Sequence, residues 1–145
     1  MTSKVRILLG VLRRIRLKIF ILEDDEFRLK YIKEQLKAVF KDYEIISCNN
    51  VIEAKHILES SVFDYIFLDH DLGGKQFVDS NDANTGYQVA KFINEKKIKY
   101  DKCIIHSLNY PGAMKMSALL NNSIYLPIIM WSKENLEYIK NIQLV

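Results

Sequence analysis

The sequence predicts an α/β domain in which a parallel sheet is covered by helices on both faces. Segments 18–25, KIFILEDD, and 63–72, FDYIFLDHDL, are apolar, β-branched and aromatic runs that each end in a cluster of acids. A buried parallel strand has this composition, and its carboxyl edge is where open α/β sheets place their ligand sites. Strand-like and helix-like segments also alternate along the chain, and parallel strands need helical crossovers between them. At 145 residues and 49% apolar content the chain has core enough for one domain. It carries no internal repeat, linker or low-complexity tract.

Residues 17–23 read as the first strand. Residues 26–41 follow as a helix, with Leu29, Ile32, Leu36, Val39 and Phe40 near helical spacing. Residues 44–48 form a short second strand. Asn49 or Asn50 can cap the next helix, whose inner face is Val51, Ala54, Ile57 and Leu58. Residues 65–69 are the third strand, and 73–83 a polar, irregular insertion. A helix over 85–96 carries Val89, Ala90, Phe92 and Ile93; residues 102–106 are the fourth strand. Residues 111–120 are a helix with Pro111 at its first position, where a missing N–H costs nothing. A fifth strand is expected over 124–131, and Ser132 caps a last helix carrying Leu136, Ile139 and Ile142.

The net charge of +3 conceals an asymmetry. Lys4, Arg6, Arg13, Arg14, Arg16 and Lys18 stand in an acid-free stretch; without them 15 basic residues face 18 acids. Bulk charge therefore gives no support to nucleic-acid binding. Residues 1–16 read as a basic N-terminal extension to a domain over 17–145. Its apolar run is short and no small-residue cleavage site follows, against a signal peptide. No apolar run approaches the roughly 20 residues of a membrane span. Cys48 and Cys103 fall in or beside apolar strand-like segments, which indicates buried thiols and a reducing, cytoplasmic setting.

If the first and third strands are neighbours, Asp24, Asp25 and Asp69 meet at one sheet edge. Three close carboxylates repel one another unless a cation lies between them. Two acids after the first strand and an aspartate ending the third resemble the receiver domain of two-component response regulators. The resemblance implies a flavodoxin-like three-layer sandwich, with a five-stranded parallel sheet of order 2-1-3-4-5. It also implies that Asp24 and Asp25 hold Mg²⁺, that Asp69 is a metal ligand and phosphoacceptor, and that Asp71 adds its backbone carbonyl. Ser107 matches the family's hydroxyl residue after the fourth strand.

Receivers also carry a lysine at the end of strand five. Here Pro127, Ile128 and Ile129 occupy that stretch, and Lys133 comes too late. His70, in LDHDL, and His106, in IIHSLNYPGA, are histidines a receiver does not require. With the inserted loop ending in NTG, the set resembles the divergent receiver-like family proposed to process cyclic phosphates.

That resemblance implies a metal-dependent phosphoesterase-like domain acting on a cyclic phosphate, a small nucleotide or an RNA-end cyclic phosphate. Asp69, His70 and His106 are its candidate catalytic residues, the histidines serving as general base and acid, since imidazole titrates near neutrality untuned. Either histidine could instead be structural, or ligate Mn²⁺. Ser107, Asn109 and Gly112 lead into a helix N-terminus whose amides can bind phosphate, though Asn109 can equally be only a cap. Glu23 is read as ending its strand or facing a helix. Arg28 could reach a phosphate, but a surface ion pair is its ordinary role. The alternatives are a stand-alone receiver phosphorylated on Asp69 that engages a protein partner, and a non-catalytic binding module.

Overall fold

The structure is a computed structural model that describes residues 16–144. The expected basic extension lies outside the described residues except for Arg16, which donates to the Tyr43 carbonyl at 2.6 Å. Five strands and five helices alternate as expected: β1 Leu17–Leu22, α1 Glu26–Lys37, β2 Tyr43–Cys48, α2 Val51–Ser60, β3 Tyr65–Leu68, α3 Gly86–Lys96, β4 Lys102–Ile105, α4 Tyr110–Leu119, β5 Ser123–Tyr125 and α5 Lys133–Asn141. All neighbouring strands are parallel and the sheet order is 2-1-3-4-5.

Side chains alternate across a strand, so the sheet feeds two cores. Phe20, Leu22, Ile66, Leu68, Cys103 and Ile105 face α2, α3 and α4. Ile19, Ile21, Phe67 and Ile104 face Ile32 and Leu36 of α1 and Leu136 and Ile139 of α5. Both cysteines are free and buried. Burial pushes the Cys48 thiol up to about 11 and Cys103 higher still, which makes both poor nucleophiles. No helix among the described residues is long and apolar enough to cross a membrane.

Side-chain caps fix most helix starts. Asp25, Asn50, Asn109 and Ser132 each accept the amide three residues on. Thr85 precedes α3 without such a bond, because its hydroxyl donates to the carbonyls of Ser80 and Asp82 inside the insertion.

One expected element is corrected. The strand placed over 124–131 ends at Tyr125, and Ile128–Met130 form a single 3-10 turn. Pro127 has no N–H to offer a ladder, and the chain turns there. Trp131 is buried beyond the turn, its indole N–H donating to the Leu126 carbonyl at 2.9 Å. α5 likewise stops at Asn141, before Ile142.

The insertion returns to the sheet at Gly86, whose amide donates to the His70 carbonyl at 2.8 Å. A Cβ there would lie 1.7 Å from the Asp69 carbonyl oxygen. Backbone cannot yield as a side-chain tip can, so Gly86→Ala is expected to destabilise the fold by about 3 kcal/mol or more. Urea denaturation of the variant beside wild type measures it.

Candidate functional site

The register of the sheet builds the site. Leu22, Leu68 and Ile105 lie side by side on β1, β3 and β4. The next residue on each is Glu23, Asp69 and His106, and the ladder continues through the Asp69 amide to the Leu22 carbonyl and the His106 amide to the Leu68 carbonyl. Since Leu22, Leu68 and Ile105 face the α2–α4 core, alternation turns Glu23, Asp69 and His106 toward α1 and α5. All three are buried, and one ligand atom from each lies within 4.8 Å of the others.

His106 Nε2 lies 3.1 Å from Glu23 Oε1, and the His106 ring meets Trp131 edge-on. A carboxylate there favours the proton on Nε2, leaving Nδ1 as the basic nitrogen; Nδ1 is buried without a hydrogen-bond partner. Asp69 Oδ2 is also buried without one and faces Arg28 Nη2 at 3.6 Å. Arg28, in the first turn of α1, gathers the acids: its Nη2 is 3.0 Å from Glu23 Oε2 and 3.3 Å from Asp24 Oδ1, and its Nη1 is 3.9 Å from Asp25 Oδ2.

Burial acts on both inner acids, but their partners divide them. It would raise Glu23, yet the hydrogen bond and charge of His106, then Arg28, hold that carboxyl down at about 2. Asp69 is pushed up to about 7, first by burial and then by the Glu23 charge, which the positive charges of His106 and Arg28 do not offset. Burial likewise raises Asp24, against a 2.7 Å bond from the Gly74 amide.

The expected site residues divide between two jobs. Asp24 and Asp69 come together on Arg28. Asp25 is committed to the backbone, accepting the Arg28 amide at 2.9 Å as the cap of α1. His70 points to the opposite face from His106. Its Nδ1 is 2.7 Å from Asp71 Oδ1 and its Nε2 is 2.9 Å from Ser80 Oγ. Its ring is wholly buried against Gly112, where a Cβ would lie 2.5 Å from the imidazole.

Asp71 accepts the amides of Phe77 and Val78, and these bonds with those from Asn109 and His70 lower its carboxyl against the effect of burial. Asn109 caps α4 through Gly112 and donates to Asp71 and the Val78 carbonyl. His70, Asp71, Asn109 and Gly112 thus form the post on which the insertion hangs. Ser107 differs: its Oγ accepts the Asn109 amide at 3.0 Å, leaving its own proton to donate.

Glu23, Asp69, His106, Ser107, Arg28 and Lys75 line one cleft of about 100 Å³, together with Asp71, Phe77, Leu108 and Ile128. Glu23 and Lys75 are the contributors that sequence reasoning passed over. Strand parity, counted from the apolar run, points to Glu23; nothing in GGKQ singled out Lys75. Lys133 belongs elsewhere, beside Leu17 and Val39 near the start of β1.

This architecture has known relatives. The family model described as the cyclic-phosphate processing receiver domain matches residues 19–122, well over half of the chain. The chain belongs to this family. No curated protein matches it. Among solved structures, this receiver resembles the phosphorylated cyanobacterial phytochrome response regulator, with TM-score 0.66 and 21% identity over 90% of this chain and 99% of that one. The receiver domain of a sensor histidine kinase from Pseudomonas aeruginosa, with magnesium coordinated in its active-site cleft, gives TM-score 0.63 and 17% identity over 86% and 94%. A CheY-like receiver from Methanospirillum hungatei gives 0.64 and 19% over 87% and 92%. At these identities the likeness is one of fold.

Charge state and stability are linked at Asp69. Its carboxyl is raised above the ordinary 3.8, so the folded protein holds the proton more tightly than the unfolded chain, and stability falls as pH rises from about 4 to 7. Asp69→Asn removes that charge without changing shape. In chelator-treated protein the variant is expected to melt a few degrees above wild type at pH 8 and level with it near pH 4, as calorimetry at several pH values will show.

Proposed function

We propose that this receiver is a phosphoesterase-like domain that opens a cyclic phosphate or processes a small nucleotide in the cleft of Glu23, Asp69 and His106. The observation that carries the reading is the buried Glu23–His106 pair beside Asp69, opening into a cleft that also holds Arg28, Lys75 and Ser107. A phosphoacceptor switch has no need of a carboxylate-backed imidazole, whereas ester cleavage needs a group that moves a proton at neutral pH. Glu23 orients the ring, and Nδ1 takes the proton of the attacking water or returns one to the leaving sugar oxygen. His70, with both ring nitrogens engaged on the other face, takes no part. Arg28 and Lys75 offset the phosphate charge, and the Ser107 hydroxyl donates to one of its oxygens.

The residues fit a divalent ion as well: Asp69 Oδ2 is a buried oxygen with no hydrogen bond, and Asp69 clusters with ligand atoms of Glu23 and His106. An oxygen-preferring ion, Mg²⁺ or Mn²⁺, would be held by Asp69 with Glu23 and Asp24, and by the Asp71 backbone carbonyl if the receiver pattern holds. Such an ion neutralises phosphoryl oxygens during in-line attack. A second reading rests on Asp69 alone: its Oδ2, without a hydrogen bond and 3.6 Å from Arg28 Nη2, is also where a phosphoacceptor would stand.

Phosphorus NMR on a panel of 2′,3′- and 3′,5′-cyclic nucleotides with Mg²⁺ or Mn²⁺ separates the two. Ring opening by wild type that falls by about 100-fold or more in His106→Ala and in Asp69→Asn supports the esterase. No turnover, with beryllofluoride binding that is lost in Asp69→Asn, moves the assignment to the phosphoacceptor.

A further inference from the structure

Next to the cleft is an apolar shelf whose side chains, Ile128 apart, are not part of either core. Phe27 is 87% exposed and Ile129 76% exposed, and with Tyr31 and Ile128 they line an open depression of about 350 Å³. Phe27 and Tyr31 are i, i+4 neighbours on α1, away from Ile32 and Leu36, which pack the sheet. The turn after Pro127 brings Ile128 and Ile129 alongside them. Single exposed apolar side chains are ordinary, but a contiguous set beside a charged cleft indicates a ligand surface. Arg28 and Ile128 line both the cleft and the shelf, so the two are continuous.

The cleft, at about 100 Å³, is the smaller of the two, and the shelf depression, at about 350 Å³, opens directly beside it. A ligand whose phosphate occupies the cleft has this apolar surface as the neighbouring place for its remaining atoms. We propose that the shelf of Phe27, Tyr31, Ile128 and Ile129 seats the nucleobase of a nucleotide whose phosphate lies beneath Arg28. The inference rests on the phosphate-processing reading of the cleft, and makes the ligand a nucleotide rather than a bare sugar phosphate. An aromatic platform accepts any base, since every base presents a π face, so the shelf gives affinity with little discrimination among bases.

Calorimetric titration with AMP, ribose 5-phosphate and inorganic phosphate, in Mg²⁺ buffer, tests it. Wild type is expected to bind AMP about 5- to 100-fold more tightly than ribose 5-phosphate, the range that base–aromatic contacts supply. Phe27→Ser and Ile129→Ser, both at exposed positions, are expected to erase that margin and leave ribose 5-phosphate and phosphate binding unchanged. Equal affinity of wild type for AMP and ribose 5-phosphate overturns the inference while leaving the phosphate site intact. Loss of the margin in Phe77→Ser rather than in Phe27→Ser also overturns it, placing the base against the insertion. Binding of none of the three removes the phosphate site itself, and the inference with it.

Discussion

Four carboxylates, those of Glu23, Asp24, Asp25 and Asp69, converge on one guanidinium, and the rest of the site follows from that arrangement. Two like unit charges 4 Å apart near a protein surface repel by about 4 kcal/mol, so such a group cannot stand without a cation. Arg28 supplies it from the first turn of α1, where Asp25 caps the helix and sets its direction. The chain therefore carries its own counter-charge, and a divalent ion entering the cluster must share the acids with Arg28 or displace it. A displaced guanidinium at the mouth of the cleft is free to pair bidentately with a phosphate.

The two faces of the sheet edge do different work. On the α1 side, Glu23, Asp69 and His106 form a row of titratable groups, of which Asp69 Oδ2 and His106 Nδ1 have no hydrogen bond. His70, Asp71 and Asn109 hydrogen-bond one another and hold the insertion, with His70 on the opposite face and Asp71 also lining the cleft. Asp69 and His70 are adjacent at the end of β3, and that one residue of offset sends their side chains to opposite faces.

Much of this was legible in the sequence because the physical signals were local. Apolar runs ending in acids gave β1 and β3, shorter apolar stretches between helix-like segments gave β2 and β4, and Asn49 or Asn50, Asn109 and Ser132 were legible as helix caps. β5 was misjudged because IYLPIIMW is apolar throughout; the missing N–H of Pro127 outweighs composition there. The carboxylate edge was legible through Asp24 and Asp69, but the two histidines looked equivalent because both follow apolar strands. Counting alternation from Leu68 and Ile105 separates them: Asp69 and His106 continue one parity, and His70 takes the other. The same count would have promoted Glu23. Lys75 was beyond local reasoning, since only the path of the insertion carries it back over the cleft.

The insertion has one further consequence, which concerns how such a site can change over time. It is fastened at several points: Gly86 lies against the Asp69 carbonyl with no room for a methyl group, Phe77 and Val78 hang from Asp71, and the Gly74 amide donates to Asp24. Between Val78 and Gly86 the loop is shaped by short side chains that turn the backbone locally, as Asp79 does for Asn81 and Asp82 for Asn84. Lys75 and Gln76, between the anchors at Gly74 and Phe77, are an exchangeable cover over the cleft. Descendants of this chain could trade that cover while inheriting the cluster of Glu23, Asp69 and His106 unaltered.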